Sequence, residues 1–197
     1  MVTVWDELLK FDPTLPSASG QHLIVATLAI LVLTTLIFRV SLIFFPDSIK
    51  NDVVDDKNLE YKELKRKKVN PQTLIFGELI NGSILPGLQE ELLFRFVLLK
   101  LVFVRGLKMN IHSANFLQAI IFGSCHMGNA IYSEQTTRIS FIQSISAGIT
   151  GLICGYSYYY TNSIIPSIAA HMINNILASY DQVSAYKSYL KETRTNK

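Results

Sequence analysis

The chain has 197 residues, of which 49% are hydrophobic and only 17% charged, with a net charge of +3. Its mean hydropathy of +0.29 is high for a water-soluble domain with ordinary charge usage. The length suits one domain, and the charge is too small to argue for a nucleic acid partner, so the expected partner is the lipid bilayer.

In chain order, Val4–Phe11 reads as a short amphipathic turn with Trp5 at the membrane surface or, equally, as a loose tail. Pro13, Pro16 and Gly20 stop any helix there. A first span is expected from about His22 to Phe45, ending at Pro46. It follows an acidic stretch (Asp6, Glu7, Asp12), lacks the basic start of a cleaved leader and is long enough to be retained. Its one charge, Arg39, lies near the end and can snorkel to water. Residues 46–71 read as a charged cytoplasmic loop, with Lys50, Lys57 and Lys62 leading into the basic run Lys65–Lys68.

Residues 72–104 are too long for one span and carry Pro86-Gly87. The reading is an interfacial helix over 72–85, then a second span over 87–104 with Lys100 and Arg105 at its far end, and no role for Glu78. A third span is expected from Ile111 to Met127. A polar loop with Asn129, Glu134 and Arg138 follows. A fourth span is expected from Ile139 to Tyr160 and a fifth from Ser163 to Tyr180. Ser144, Gly148, Gly151 and Gly155 share one face of the fourth span and suit close helix packing. Tyr156, Tyr158, Tyr159 and Tyr160 read as an interfacial belt. Cys125 and Cys154 fall in spans and read as packing residues, not as a disulfide or metal pair. The fold class is therefore an all-α polytopic bundle of about five spans plus one broken or interfacial helix. Its parts are 1–45, 46–71, a core at 72–180 and a polar tail at 181–197. The basic loop and the tail (Lys187, Lys191, Arg194, Lys197) put the N-terminus outside and the C-terminus in the cytoplasm, while Arg105 and Lys108 disagree.

Ionisable groups inside spans are costly and mark function. Here they are few: Glu90, Glu91 and Arg95 in the second span, His126 at the end of the third, and His171, Asn174 and Asn175 in the fifth. Because the spans alternate in direction, all fall in the same half of the bilayer. Glu91 and Arg95 are four apart and share a face, which suits an internal ion pair and leaves Glu90 facing a cavity. His171 and Asn175 share a face in the same way. Asn174 points elsewhere, towards a neighbouring helix, and Phe122, one turn before His126, can form a wall beside it. Any one of these residues alone would be packing. Together, a carboxylate and an imidazole can hold water and take its proton, while a second imidazole and an amide can stabilise an oxyanion. That chemistry is direct attack of water on an amide carbonyl. Zinc held by two His and one Glu is the rival mechanism, although no His-Glu-x-x-His helix is present and Asn is a poor zinc ligand. A Ser124 or Cys125 nucleophile ranks low, because neighbouring helical positions point away from His126.

The same residues resemble a known family. Glu90-Glu91-Leu92-Leu93-Phe94-Arg95, Phe122-Gly123-Ser124-Cys125-His126 and His171-Met172-Ile173-Asn174-Asn175 are similar, in order, to the three motifs of the CAAX-protease and bacteriocin-processing (CPBP) family. Asn162-Ser163-Ile164-Ile165-Pro166 resembles its lead-in to the third motif. The resemblance spans about 72–180. It implies an intramembrane glutamate endopeptidase working without a catalytic metal, on protein or peptide substrates that include prenylated CAAX proteins. Glu90 and His126 would activate water, His171 and Asn175 would form the oxyanion hole, and Glu91, Arg95 and Phe122 would support them. Two other functions are compatible with the pattern. One is a non-catalytic scaffold or bacteriocin-immunity protein. The other is a proton- or ion-coupled transporter, which the lack of an inverted repeat disfavours.

Overall fold

The computed structural model describes residues 2–44, 47–132 and 137–195. Expectations for Pro46, Glu134 and Lys197, and for the side chains of Arg39, Lys50 and Arg194, lie outside the described residues. Every regular element among the described residues is helical.

Helix α1 (Val4–Leu9) is closed by a capping box, in which the Thr3 hydroxyl accepts from the Asp6 N–H and the Asp6 carboxylate accepts from the Thr3 N–H. The segment is a short ordered helix with Val4 and Trp5 exposed, rather than a loose tail. Lys100, expected at a water-facing helix end, is only 1% exposed. Its ammonium donates to the carbonyls of Glu7 and Lys10 and pairs with the Glu7 carboxylate at 3.2 Å. A buried ammonium must find acceptors, and the first ten residues supply them. Tyr158, read as part of an interfacial belt, is fully buried and donates to Lys10 O at 2.9 Å. Asn162, in the left-handed region at φ 51°, donates from its amide to Asp12 O at 2.9 Å and to Leu15 O at 3.0 Å.

Helix α2 (Gly20–Phe44) follows. Among the described residues, two stretches are long and apolar enough to cross a membrane: Gly20–Ile37 of α2, and all of α8 (Thr137–Thr161). The other three expected spans fall short by length or composition. One is interrupted by Arg95, Lys100 and Arg105, α6 (Ile111–Cys125) has 15 residues, and the first half of α9 (Ile165–Thr195) carries His171, Asn174 and Asn175.

The charged stretch read as a loop is a helix, α3 (Asp47–Arg66). Opposite charges a turn apart support it, with Glu63 pairing to Lys67 at 3.0 Å and to Arg66 at 3.1 Å. Tyr61 docks it, its ring 5.9 Å from both Tyr186 and Tyr189 of α9.

Pro86-Gly87 does not break the chain either. From α4 (Pro71–Gly77) the helix widens to π winding over Glu78–Ile84 (π1), tightens as α5 (Leu85–Glu91), and widens again over Leu92–Gly106 (π2). The Leu85 N–H reaches back five residues to Ile80 O. The wider turn makes room for a proline ring that an α-helical interior would reject.

After α6, a 3₁₀ turn (His126–Gly128) and α7 (Asn129–Tyr132) lead towards α8. Helices α6 and α8 pack more extensively than any other pair. A Cβ on Gly123 would stand 2.6 Å from Ser144 O and 3.1 Å from the Gly148 Cα, so only glycine permits this approach. Alongside it, Asn115 and Gln118 donate to the α8 carbonyls of Leu152 and Gly151, both at 3.0 Å. Helix α9 is central, packed on α2, π1, α5 and α8.

Candidate active site

Three elements bring the polar residues together: the α5–π2 junction, the end of α6 with its 3₁₀ turn, and the middle of α9. Glu91 and Arg95 are fully buried and form an ion pair with Nε–Oε2 at 3.0 Å. The contact is electrostatic rather than directed, because no guanidinium N–H makes an aligned hydrogen bond. The guanidinium lies 4.6 Å from the centre of the Phe122 ring, a cation–π contact. Phe122 is also edge-on to Phe94 at 4.8 Å, to His126 at 5.0 Å and to His171 at 6.3 Å. It is a hub that sets the ring positions, more than the wall expected beside His126.

His171 Nδ1 donates to Glu91 Oε1 at 2.9 Å, and its Nε2 lies 3.7 Å from Glu90 Oε2. Glu91 therefore serves Arg95 and His171 at once, a link that helical spacing could not give because it joins different helices. This close approach of α5 to α9 depends on Gly87: a Cβ there would meet Met172 Cγ at 2.8 Å and Met172 N at 3.2 Å. The sequence reading took Gly87 for a break.

His126 Nδ1 donates to Phe122 O at 3.0 Å. In a neutral ring this leaves the lone pair on Nε2. No hydrogen bond or ion pair joins Glu90 to His126 among the described residues; the carboxylate lies beside His171 instead. The Glu90 side chain is 35% exposed, while its buried Oε2 has no hydrogen-bond partner. Asn175, half-buried and one turn beyond His171, makes no hydrogen bond among the described residues. Its neighbour Asn174 donates to Thr34 Oγ1 of α2 at 2.8 Å. Thr34 was not singled out from the sequence, although a buried hydroxyl in an apolar helix was the available signal.

Cys125 is exposed and Cys154 buried, and both are free thiols. No group of three His, Cys, Asp or Glu side chains converges as metal ligands do among the described residues. Beside the polar cluster, Ile165, Ile168, Ala169, Met172, Ile173 and Ile176 line an apolar groove of about 340 Å³ along α9.

A family model, Type II CAAX prenyl endopeptidase Rce1-like, matches residues 72–177, just over half of the chain. The chain belongs to this Rce1-like family. The matched region holds Glu90, Glu91, Arg95, Phe122, His126, His171 and Asn175, and leaves out α1, α2 and α3. Membership implies a protease acting on protein or peptide substrates, in a family of membrane proteins. No curated protein and no solved structure matched the chain.

Proposed function

We propose that the chain is an intramembrane endopeptidase in which Glu90 activates water for direct attack on a peptide carbonyl. The observation that carries this reading is a contrast in bonding. Glu91 is paired by charge with Arg95 and accepts a hydrogen bond from the Nδ1 of His171. Glu90, the Nε2 of His126 and the Asn175 amide have no hydrogen-bond partner among the described residues. Of these, Glu90 Oε2 is buried; buried oxygens are normally satisfied, so an orphaned carboxylate oxygen beside a charge-paired cluster is a group kept for water.

In this reading Glu90 takes one proton of the water as its oxygen bonds to the carbonyl carbon, and His126 Nε2 accepts the other O–H. The oxyanion receives hydrogen bonds from the Asn175 amide and from His171 Nε2. Since Nδ1–H of His171 already goes to Glu91, an Nε2–H donor means a doubly protonated ring. Two carboxylates, one guanidinium and that imidazolium then sum to zero charge, which suits a buried setting. As the tetrahedral intermediate collapses, the C–N bond breaks and Glu90 returns its proton to the leaving amine. Glu91, Arg95 and Phe122 are positioning residues, and no metal takes part.

The apolar groove along α9 suits the lipid part of a prenylated, CAAX-type substrate. The five expected helices cross the membrane with the N-terminus outside and the C-terminus in the cytoplasm. The test is product formation from a prenylated peptide by Glu90→Gln, His126→Ala and His171→Ala proteins that remain folded. Loss in all three supports the reading; full activity in Glu90→Gln ends it and favours the scaffold or immunity function. Activity lost to a chelator and restored by zinc would favour the metal mechanism.

A further inference from the structure

Hydrolysis consumes water, and the groove beside the site is wholly apolar in its lining. The water must come from elsewhere. On α9, His171, Asn175, Ser179 and Gln182 fall within roughly 80° of arc, and His171 to Ser179 is a rise of roughly 12 Å. The facing helix runs antiparallel and meets this stripe with polar groups of its own. His171 meets Glu90 and Glu91, and Ser179 Oγ lies 3.0 Å from Ser83 Oγ. Gln182 donates to Glu60 of α3 at the far end.

Between these points sits Glu78, which the mechanism does not use. Its carboxylate folds over Gly82, where a Cβ would collide with it, and Ser179 Oγ lies 3.7 Å from that same point. Ser83 donates to Glu78 O at 3.1 Å. Glu78 is half-buried, and Glu60 is close enough for the two charges to act on each other. The hydroxyls of buried Ser83 and half-buried Ser179 also tie π1 to α9, but the Glu78 carboxylate beside them has no hydrogen-bond partner among the described residues. Together the carboxylate and the two hydroxyls give water a series of partners, which a chain of water in a largely apolar bundle requires.

We propose that Glu78, Ser83 and Ser179 form the inlet through which water reaches Glu90 along the polar face of α9. The inference rests on the reading of Glu90 as the water-activating base. Glu78 is a positioning residue here, since it touches the water file and not the scissile bond.

The test is reaction of single cysteines with a charged methanethiosulfonate, which needs a hydrated thiol, in a Cys125→Ser/Cys154→Ala background reconstituted in vesicles. Ser179→Cys and Ser83→Cys are expected to react at least tenfold faster than Ile173→Cys, which sits in the apolar groove. Modification at either serine position is expected to abolish peptide hydrolysis. Glu78→Leu is expected to lower kcat at least tenfold with KM unchanged, and Glu78→Gln to restore it, because the route needs polarity and not charge. Labelling of both serine positions no faster than Ile173→Cys overturns the inlet, as does full hydrolysis after modification. The labelling rates do not depend on activity, so an active Glu90→Gln protein sinks the base assignment and leaves the inlet to be judged on its own readout.

Discussion

Glu91 accepts the Nδ1–H of His171 at 2.9 Å while its other oxygen faces Arg95. One carboxylate thus ties the helix bearing the first motif to the helix that carries the proposed oxyanion donors. Glu91→Gln keeps an acceptor for His171 but strands the buried guanidinium. Breaking a buried pair from one side costs about 3–5 kcal/mol, so thermal unfolding in detergent is expected to occur well below the parent temperature. Glu91→Gln with parent-like unfolding would mean that Arg95 has another counter-charge.

Arg95 is held by charge and by its flat face on Phe122. Arg95→Lys supplies the charge without the plane. It is expected to recover only part of the stability lost in Arg95→Met, with kcat remaining below parent because Phe122 also sets the ring positions of His126 and His171. Parallel melts and hydrolysis rates check this.

Asn174 and Asn175 are adjacent in sequence yet predicted to fail differently. Asn175→Ala removes no hydrogen bond among the described residues, so its melt is expected to be unchanged, while kcat falls about 10²–10³-fold with the loss of one oxyanion donor. Asn174→Ala removes the bond to Thr34. Interhelical bonds of this kind contribute about 0.6 kcal/mol, so a small drop in stability with near-parent kcat is expected.

The α6–α8 contact is set by backbone proximity at Gly123. Gly123→Ala must push Ser144 O aside, and it is expected to destabilise the protein by about 1–3 kcal/mol, the usual cost of overpacking. Because Phe122 and His126 flank this position, activity is expected to fall with it. A Gly148→Ala control, whose Cβ would meet nothing closer than 3.5 Å, is expected to be milder.

Glu7 gives a pH dependence. Burial would raise its pKa, but hydrogen bonds and charge from Lys100 and Arg105 outweigh this and hold it below the ordinary carboxylate range. The group is ionised more readily folded than unfolded. Its stabilisation is therefore complete above the ordinary carboxylate pKa and is lost as pH falls through the lowered value. Trp5, the sole tryptophan and part of α1, reports on this. Its fluorescence anisotropy is expected to hold steady at neutral pH and to drop in acid, and Glu7→Gln is expected to abolish that transition.

Much of the helical order is legible along the chain because helical spacing and the cost of charge in an apolar run are local rules. The Glu91–Arg95 contact, the Phe122–His126 neighbourhood and the outward turn of Asn174 all follow from residues three or four apart. What spacing cannot give is contact between helices. The Glu91–His171 bond and the Thr34 partner of Asn174 depend on how α5, α9 and α2 rotate against one another. The helical nature of 47–66 was hidden by charge, since a polar segment reads as a loop until its pairs and the docking of Tyr61 are seen. Pro86-Gly87 misled for a different reason: π winding removes the clash that makes proline a breaker. Lys100 looked like a boundary because its acceptors lie about ninety positions earlier in the chain.

The clasp on the N-terminal segment carries a consequence for biogenesis. Leu9 O is bonded by the Ile164 N–H, and Asp12, Leu15 and Pro16 are held by the Asn162 amide. A segment is thus fastened by one that is translated 150 positions after it. Until the end of α8 and the α8–α9 turn have been translated, the polar ties of α1 are those to Lys100 and Arg105, and a nascent chain arrested before Tyr158 would present an open, protease-accessible α1 segment.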